Sequence, residues 1–140
     1  MYELRRSVKI IEQLKLGDEV IDIVIAPEEI VRDYRVAMAS ITEAQKAVRK
    51  AQQNKDLDSI KAALEQFGDA ITGLMTVLLG KENTEKILAF YEGNRIEMSS
   101  WITPYLIGVI KPKIDQATTE MQRQARKAYR KAARRRILGK

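Results

Sequence analysis

The sequence contains neither cysteine nor histidine. Their absence excludes disulfides, thiol nucleophiles, imidazole general bases and zinc sites built from Cys and His. An enzyme with this composition would depend on Lys, Tyr or carboxylate chemistry, and the residues form no recognisable constellation for it. No glycine-rich loop that would cradle a phosphate is present either. We therefore expect a non-enzymatic protein without a catalytic site, a metal or another cofactor.

Aromatic residues and long apolar runs are also scarce. Only 6% of the 140 residues are aromatic, so the core must be built from aliphatic side chains and Met, which favours packed helices over a large sheet. The longest apolar runs, residues 20–26 and 105–110, are far shorter than the roughly 20 residues of a membrane span. Since Met1 is not followed by an apolar signal segment, we expect a soluble cytoplasmic protein with no membrane association.

Acidic residues are missing from the end of the chain. Residues 122–140 hold nine Lys and Arg and no Asp or Glu, whereas the preceding residues hold the other 16 basic residues and all 19 acidic ones. The end therefore carries +9 and the rest carries −3. An asymmetry of this kind indicates a polyanionic or acidic partner, or docking against an acidic surface.

The first quarter of the chain has the pattern of a hairpin followed by a helix. Residues 7–16 and 19–25 are rich in β-branched side chains and flank Gly17-Asp18, a plausible turn. Pro27 then stands where a helix can begin. The sequence predicts a short N-terminal β-hairpin leading into a long first helix.

Three more helices are predicted behind the first. Asp56 can cap the second helix and Gly80 can end it in the left-handed conformation. Asn83 or Thr84 can cap a short third helix that ends at Gly93. The last helix is expected to begin near residue 94 and to be kinked or broken at the prolines 104 and 112.

The predicted fold class is therefore mainly α, with the hairpin followed by about four helices. We divide the chain into a helical body, residues 1–112, and a basic C-terminal extension, residues 113–140. If residues 113–138 form one helix, it is about 39 Å long, so it should project from a small body.

The extension is the main candidate for a binding surface. A thin apolar line that includes Ile114, Met121 and Ala125 is a candidate for apolar contact with a partner protein. The candidate electrostatic contacts are Arg123, Arg126, Lys127, Arg130, Lys131, Arg134, Arg135 and Arg136. Their partner would be an acidic protein or nucleic acid phosphates, and a merely solvated helix is the alternative. Only Tyr129 interleaves the charges, so base stacking has little support.

Two further groups of residues allow both a structural and a functional interpretation. Trp101 and Tyr105 lie one helical turn apart, and they form either part of the core or an apolar contact patch for a partner protein. The carboxylates are scattered near turns and helix starts. Capping and turn formation explain them better than a metal site or a catalytic pair does.

One segment resembles a known family. The segment with the pattern LLG-x-EN-x-x-KIL-x-FYEG, residues 78–93, follows an amphipathic helix and precedes a last helix. Together with the strand pair and the long first helix, it resembles the tail assembly chaperones and related short tail-region proteins of long-tailed bacteriophages and Gram-positive prophages. The resemblance covers about residues 19–114, and the long basic extension departs from many of these relatives.

The resemblance implies a non-enzymatic helper that acts in the bacterial host cell. It would bind the tape measure protein and tail tube subunits during tail assembly and be absent from the finished virion. The family supplies no catalytic residues. A nucleic-acid-binding protein and a structural connector or tail protein are the alternatives, and a projecting amphipathic helix also favours self-association into a homo-oligomer.

Overall fold

An antiparallel hairpin opens the fold, and helices form nearly all of the rest. The computed structural model describes residues 1–4 and 6–138. Its elements are β1 (Ile10–Leu16), β2 (Glu19–Ile25), α1 (Pro27–Asn54), α2 (Leu57–Leu79), α3 (Lys81–Phe90), α4 (Arg95–Tyr105), a π-helical stretch (Leu106–Ile110) and α5 (Lys111–Leu138). The last three form one continuous helical run. The predicted class, mainly α with a hairpin and four helices of which the last is long, is confirmed.

The hairpin is closed by the predicted two-residue turn. Leu16 pairs with Glu19, and Gly17 occupies the turn with φ of 59°, which glycine adopts without steric cost. The inward face of the sheet is apolar because the isoleucines of β2 alternate with exposed residues. The strand β1 begins at Ile10, three residues later than predicted.

Helices α1 and α2 pack against each other and form the centre of the core. Lys55, with φ of 55°, ends α1 in the left-handed conformation. The Asp56 carboxylate then accepts hydrogen bonds from the main-chain N–H of Asp58 at 3.2 Å and from the Ser59 hydroxyl at 2.7 Å. These contacts satisfy groups at the start of α2 that the helix itself leaves unpaired, as predicted for Asp56.

The start of α3 differs from the prediction. The helix begins at Lys81, and neither Asn83 nor Thr84 is its cap. The Asn83 side-chain amide instead donates to the main-chain oxygen of Asp22 in β2 at 3.1 Å, and the Thr84 hydroxyl donates to the oxygen of Gly80 at 2.8 Å. Gly80 has φ of 85° but ψ of 162°, so it turns the chain without adopting the left-handed helical conformation. A glycine and two back-bonding side chains thus bring α3 close behind α2.

The final helical run passes through both prolines without a break. Asn94 caps α4 by accepting a hydrogen bond from the N–H of Glu97 at 3.0 Å. Pro104 lies inside α4, and Pro112 is the second residue of α5. The helix between them widens into the π-helical stretch, in which five-residue rather than four-residue hydrogen bonds form. The distortion predicted at the prolines therefore takes the form of a widened turn.

A strict four-residue spacing of apolar side chains explains why the π-helical stretch lies at residues 106–110. The row is fully buried and consists of Met98, Ile102, Leu106, Ile110 and Ile114. In a regular α-helix each four-residue step drifts by about 40°, so the row would turn about 160° away from the body over its length. The wider turn reduces this drift. The row consequently stays against the core from α4 into α5.

Candidate protein-binding surface

The first turns of α5 are fixed to the body. Ile114 is 2% exposed within the core, and Lys113 forms an ion pair with Glu12 of β1. Asp115 accepts a hydrogen bond from Lys111 at 2.6 Å. Burial, followed by the negative charge of Asp115, raises the pKa of Tyr34 in α1 to about 12. We call residues 111–121 the base of α5; Ile114 anchors it in the core, and its last residue, Met121, is half-buried.

The burial of Ile114 corrects one prediction. The sequence placed this residue at the start of an apolar line available to a partner, but its side chain packs in the core. Its contacts are therefore structural. Packing also extends past the boundary drawn after residue 112, because Ile114 belongs to the core cluster.

The rest of α5 projects. We call residues 122–138 the basic arm, which spans about 25 Å at 1.5 Å per residue. Its side chains are exposed through residue 137 except for those of Ala128 and Ala133, which are half-exposed. Lys140, which the sequence counts with the basic extension, lies outside the described residues. The arm therefore presents nearly its whole circumference to a partner.

All eight basic residues predicted as electrostatic contacts lie on the exposed arm. They are Arg123, Arg126, Lys127, Arg130, Lys131, Arg134, Arg135 and Arg136. Arg123 lies 3.7 Å from Glu120, and both side chains are exposed. Within residues 1–4 and 6–138, no acidic group forms an ion pair with the remaining seven. Their charge is therefore available to an external partner.

The apolar line continues along one side of the arm. Met121, Ala125 and Ala132 share this side at 100° per residue, and Tyr129, which is 77% exposed, stands beside them. Arg126, Lys131 and Arg135 lie between about 60° and 120° around the helix from the line. The arm thus has a narrow side of small residues bordered by long cationic side chains, which suits close packing against another helix.

Trp101 and Tyr105 have different environments. Trp101 is 71% exposed, so of the two interpretations left open for it, core packing does not apply. Tyr105 is half-buried against the core, its hydroxyl has no hydrogen-bond partner among the described residues, and burial raises its pKa. The two residues therefore do not form one patch.

Trp101 instead belongs to a stripe that sequence reasoning missed. Its exposed members run along one side of the last helical run and are Trp101, Pro104, Gly108, Val109 and Pro112. The signal was present in the spacing, since residues 101, 104, 108 and 112 follow one another at intervals of three and four and so share one side of a helix. Along the helix axis, Ala125 of the arm is roughly 20 Å from Pro112, the near end of the stripe, and roughly 35 Å from Trp101.

The described residues provide no group of acidic side chains that could hold a metal ion. No set of three or more carboxylates converges on a point among residues 1–4 and 6–138. Asp56 and Asn94 serve as helix caps, and Asp22 accepts a hydrogen bond from Gln13 across the hairpin at 2.9 Å. In the same part of the chain, no helix has both the length and the apolar character required to cross a bilayer.

Comparison with known proteins identifies no relative. No family model, no curated protein and no solved structure matches the chain.

Proposed function

We propose that this chain is a non-enzymatic tail assembly chaperone of a long-tailed bacteriophage or prophage. It acts in the cytoplasm of the bacterial host by binding the tape measure protein and tail tube subunits during tail assembly. The pattern of residues 78–93 suggests this family, and the observation that carries binding is the basic arm, an exposed helix with an apolar line and unpaired cationic borders. A surface of this type fits a long helical partner.

The chemistry of the arm favours a protein partner over a purely electrostatic one. A bare polycation needs no apolar line, whereas Met121, Ala125 and Ala132 share one side of the helix. In helix-in-groove binding, such a line supplies the packed contact while flanking charges set register and association rate. Trp101, as an exposed aromatic residue, provides a second contact point for tail tube subunits.

The test is binding to a helical fragment of the tape measure protein encoded beside this chain. Ala125→Gln with Ala132→Gln keeps the charge and the helix propensity but makes the apolar line bulky and polar. We expect this pair to weaken binding by about tenfold or more, as measured by fluorescence anisotropy. The control pair Ala62→Gln and Ala89→Gln changes exposed alanines of α2 and α3 and should bind as the parent does.

Two results would contradict the proposal. One is unchanged binding after the Ala125→Gln and Ala132→Gln changes. The other is failure to co-purify with any tape measure fragment, combined with a genomic neighbourhood free of tail genes and of a longer frameshifted reading frame.

Nucleic acid binding is the second candidate, favoured by the lack of acidic residues in the arm. Phosphate contacts depend on charge and not on the apolar line, so the Ala125→Gln and Ala132→Gln pair would leave them nearly intact. Replacing Arg126, Arg130 and Arg134 by Gln would weaken them and reduce their salt dependence. Affinity for DNA or RNA that shows this pattern, without affinity for the tape measure fragment, would replace the first proposal.

A further inference from the structure

The outer surface between α1 and α2 contains a shallow seam. Two adjoining depressions of about 350 and 610 Å³ lie along it and share the residues Val36, Ser40, Asp69 and Ala70. Val36 is 63% exposed at this position. The seam is therefore one continuous shallow groove between the two helices.

The floor of the seam is made of small residues. Ala37, Ser40, Ala70 and Gly73 line it, and a Cβ atom added at Gly73 would meet nothing within 4 Å. Small side chains allow a third helix to approach the backbones of α1 and α2 closely. The apolar side of the basic arm, with Ala125 and Ala132, is equally small.

The borders of the seam are acidic. Asp33, Glu43 and Asp69 line it, and none of the described residues lining it is Lys or Arg. Glu43 lies 3.6 Å from Lys46 and Asp69 lies 3.5 Å from Arg95, but both carboxylates are more than two-thirds exposed. They therefore keep most of their surface for an incoming cation.

The spacing of charges on the seam matches that on the arm. Asp33 and Glu43 are ten residues apart on α1, and Arg126 and Arg136 are ten residues apart on α5. Each interval corresponds to about 15 Å along a helix. Both ends of the seam can therefore meet a cation of one docked arm at the same time.

From these matches in charge, side-chain size and spacing, we propose that the acidic seam binds the basic arm of a second copy of this chain. The arm of the same copy does not occupy the seam, because α5 is one continuous helix whose arm is exposed. Docking buries the small residues of both surfaces and neutralises the acidic borders. The proposal concerns self-association and stands whether or not a tape measure protein is the external partner.

The experiment is a pair of charge reversals examined by sedimentation velocity on nuclease-treated protein. Asp33→Lys with Glu43→Lys reverses the seam, and Arg126→Glu with Arg136→Glu reverses the arm. Each double variant alone should self-associate about tenfold more weakly than the parent, because like charges then face each other. An equimolar mixture of the two should associate again, since each reversed surface then meets an opposite charge.

The control for the seam is Glu82→Lys with Glu85→Lys, which makes the same change in net charge on exposed positions of α3. It should self-associate as the parent does, and circular dichroism checks that every variant is folded. The proposal is overturned if the parent is monomeric at all concentrations at low salt. It is overturned equally if the seam variant associates like the parent, or if the mixture fails to restore association.

Discussion

The two ends of α5 belong to one helix but are held in different ways. Ile114, at the base, is 2% exposed, whereas Ile137, in the basic arm, is 75% exposed. Burial against α1, β1 and the core fixes the base. The arm has no such contacts, so its helical form depends on the propensities of Ala, Gln, Lys and Arg. The comparison teaches that one helix can be fixed by core packing at one end and leave the other end exposed.

The largest expected effect on stability is the difference between substitutions at Ile114 and at Ile137. Ile114→Ala should lower the free energy of unfolding by about 2–5 kcal/mol, because it leaves a cavity in the core. The same substitution at Ile137 should change it by less than about 0.5 kcal/mol. Urea unfolding followed by circular dichroism measures both. Equal effects at the two positions would remove the distinction between base and arm.

The second effect concerns alkaline pH. The pKa of Tyr34 is about 12 in the folded chain and about 10 when unfolded, so the folded state holds its proton more tightly. The resulting stabilisation is complete below pH 10 and is lost as the pH rises from 10 to 12. Tyr34→Phe has no hydroxyl to titrate, so its free energy of unfolding should not show this loss. We expect its stability relative to the parent to increase between pH 9 and pH 11.5, and a difference independent of pH would refute the expectation.

A smaller effect compares two ion pairs of α5. Glu12→Gln removes the pair with Lys113 at the base, where the Glu12 side chain is only 19% exposed, and should cost about 0.5–1 kcal/mol. Glu120→Gln removes the more exposed pair with Arg123 beside the arm and should cost close to nothing. The free energy of unfolding is measured for both variants at low and at high salt. Only Glu12→Gln should lower it clearly.

The smallest effect on stability should come from the largest change in sequence. Ending the chain after Met121 removes the whole basic arm but no core side chain. The midpoint of thermal unfolding should stay within about one degree of the parent's, while the proposed partner binding through the arm is lost. A midpoint lowered by ten degrees or more would mean that the arm packs on the body.

Local patterns predicted most of the fold. Gly17, Asp56 and Asn94 each stand at a turn or helix start for reasons of backbone chemistry, and the structure uses all three as expected. The start of α3 was missed because Asn83 bonds to β2, a contact between residues far apart in the sequence. Such tertiary partners leave no local signature.

The candidate binding surface was predicted less completely than the fold. Composition alone located the cationic residues, because a long run without acidic residues can be recognised in the sequence without knowing the fold. It could not separate Ile114 from Met121 or Trp101 from Tyr105, since both distinctions depend on which side of the last helical run faces the core. The strict four-residue row from Met98 to Ile114 indicates which side faces the core. It does so only if the helix contains a widened turn, because in a regular α-helix such a row drifts around the axis.

The π-helical stretch between Tyr105 and Lys111 also determines where the arm points its small side chains. One residue more or less in a helix turns everything beyond it by about 100° about the axis. Deleting Gly108, an exposed residue within the stretch, would therefore rotate the line of Ala125 and Ala132 by more than a quarter of a circle relative to the body. The widened turn, which core packing holds in place, therefore determines the direction in which the apolar line of the arm faces about 25 Å further along the helix.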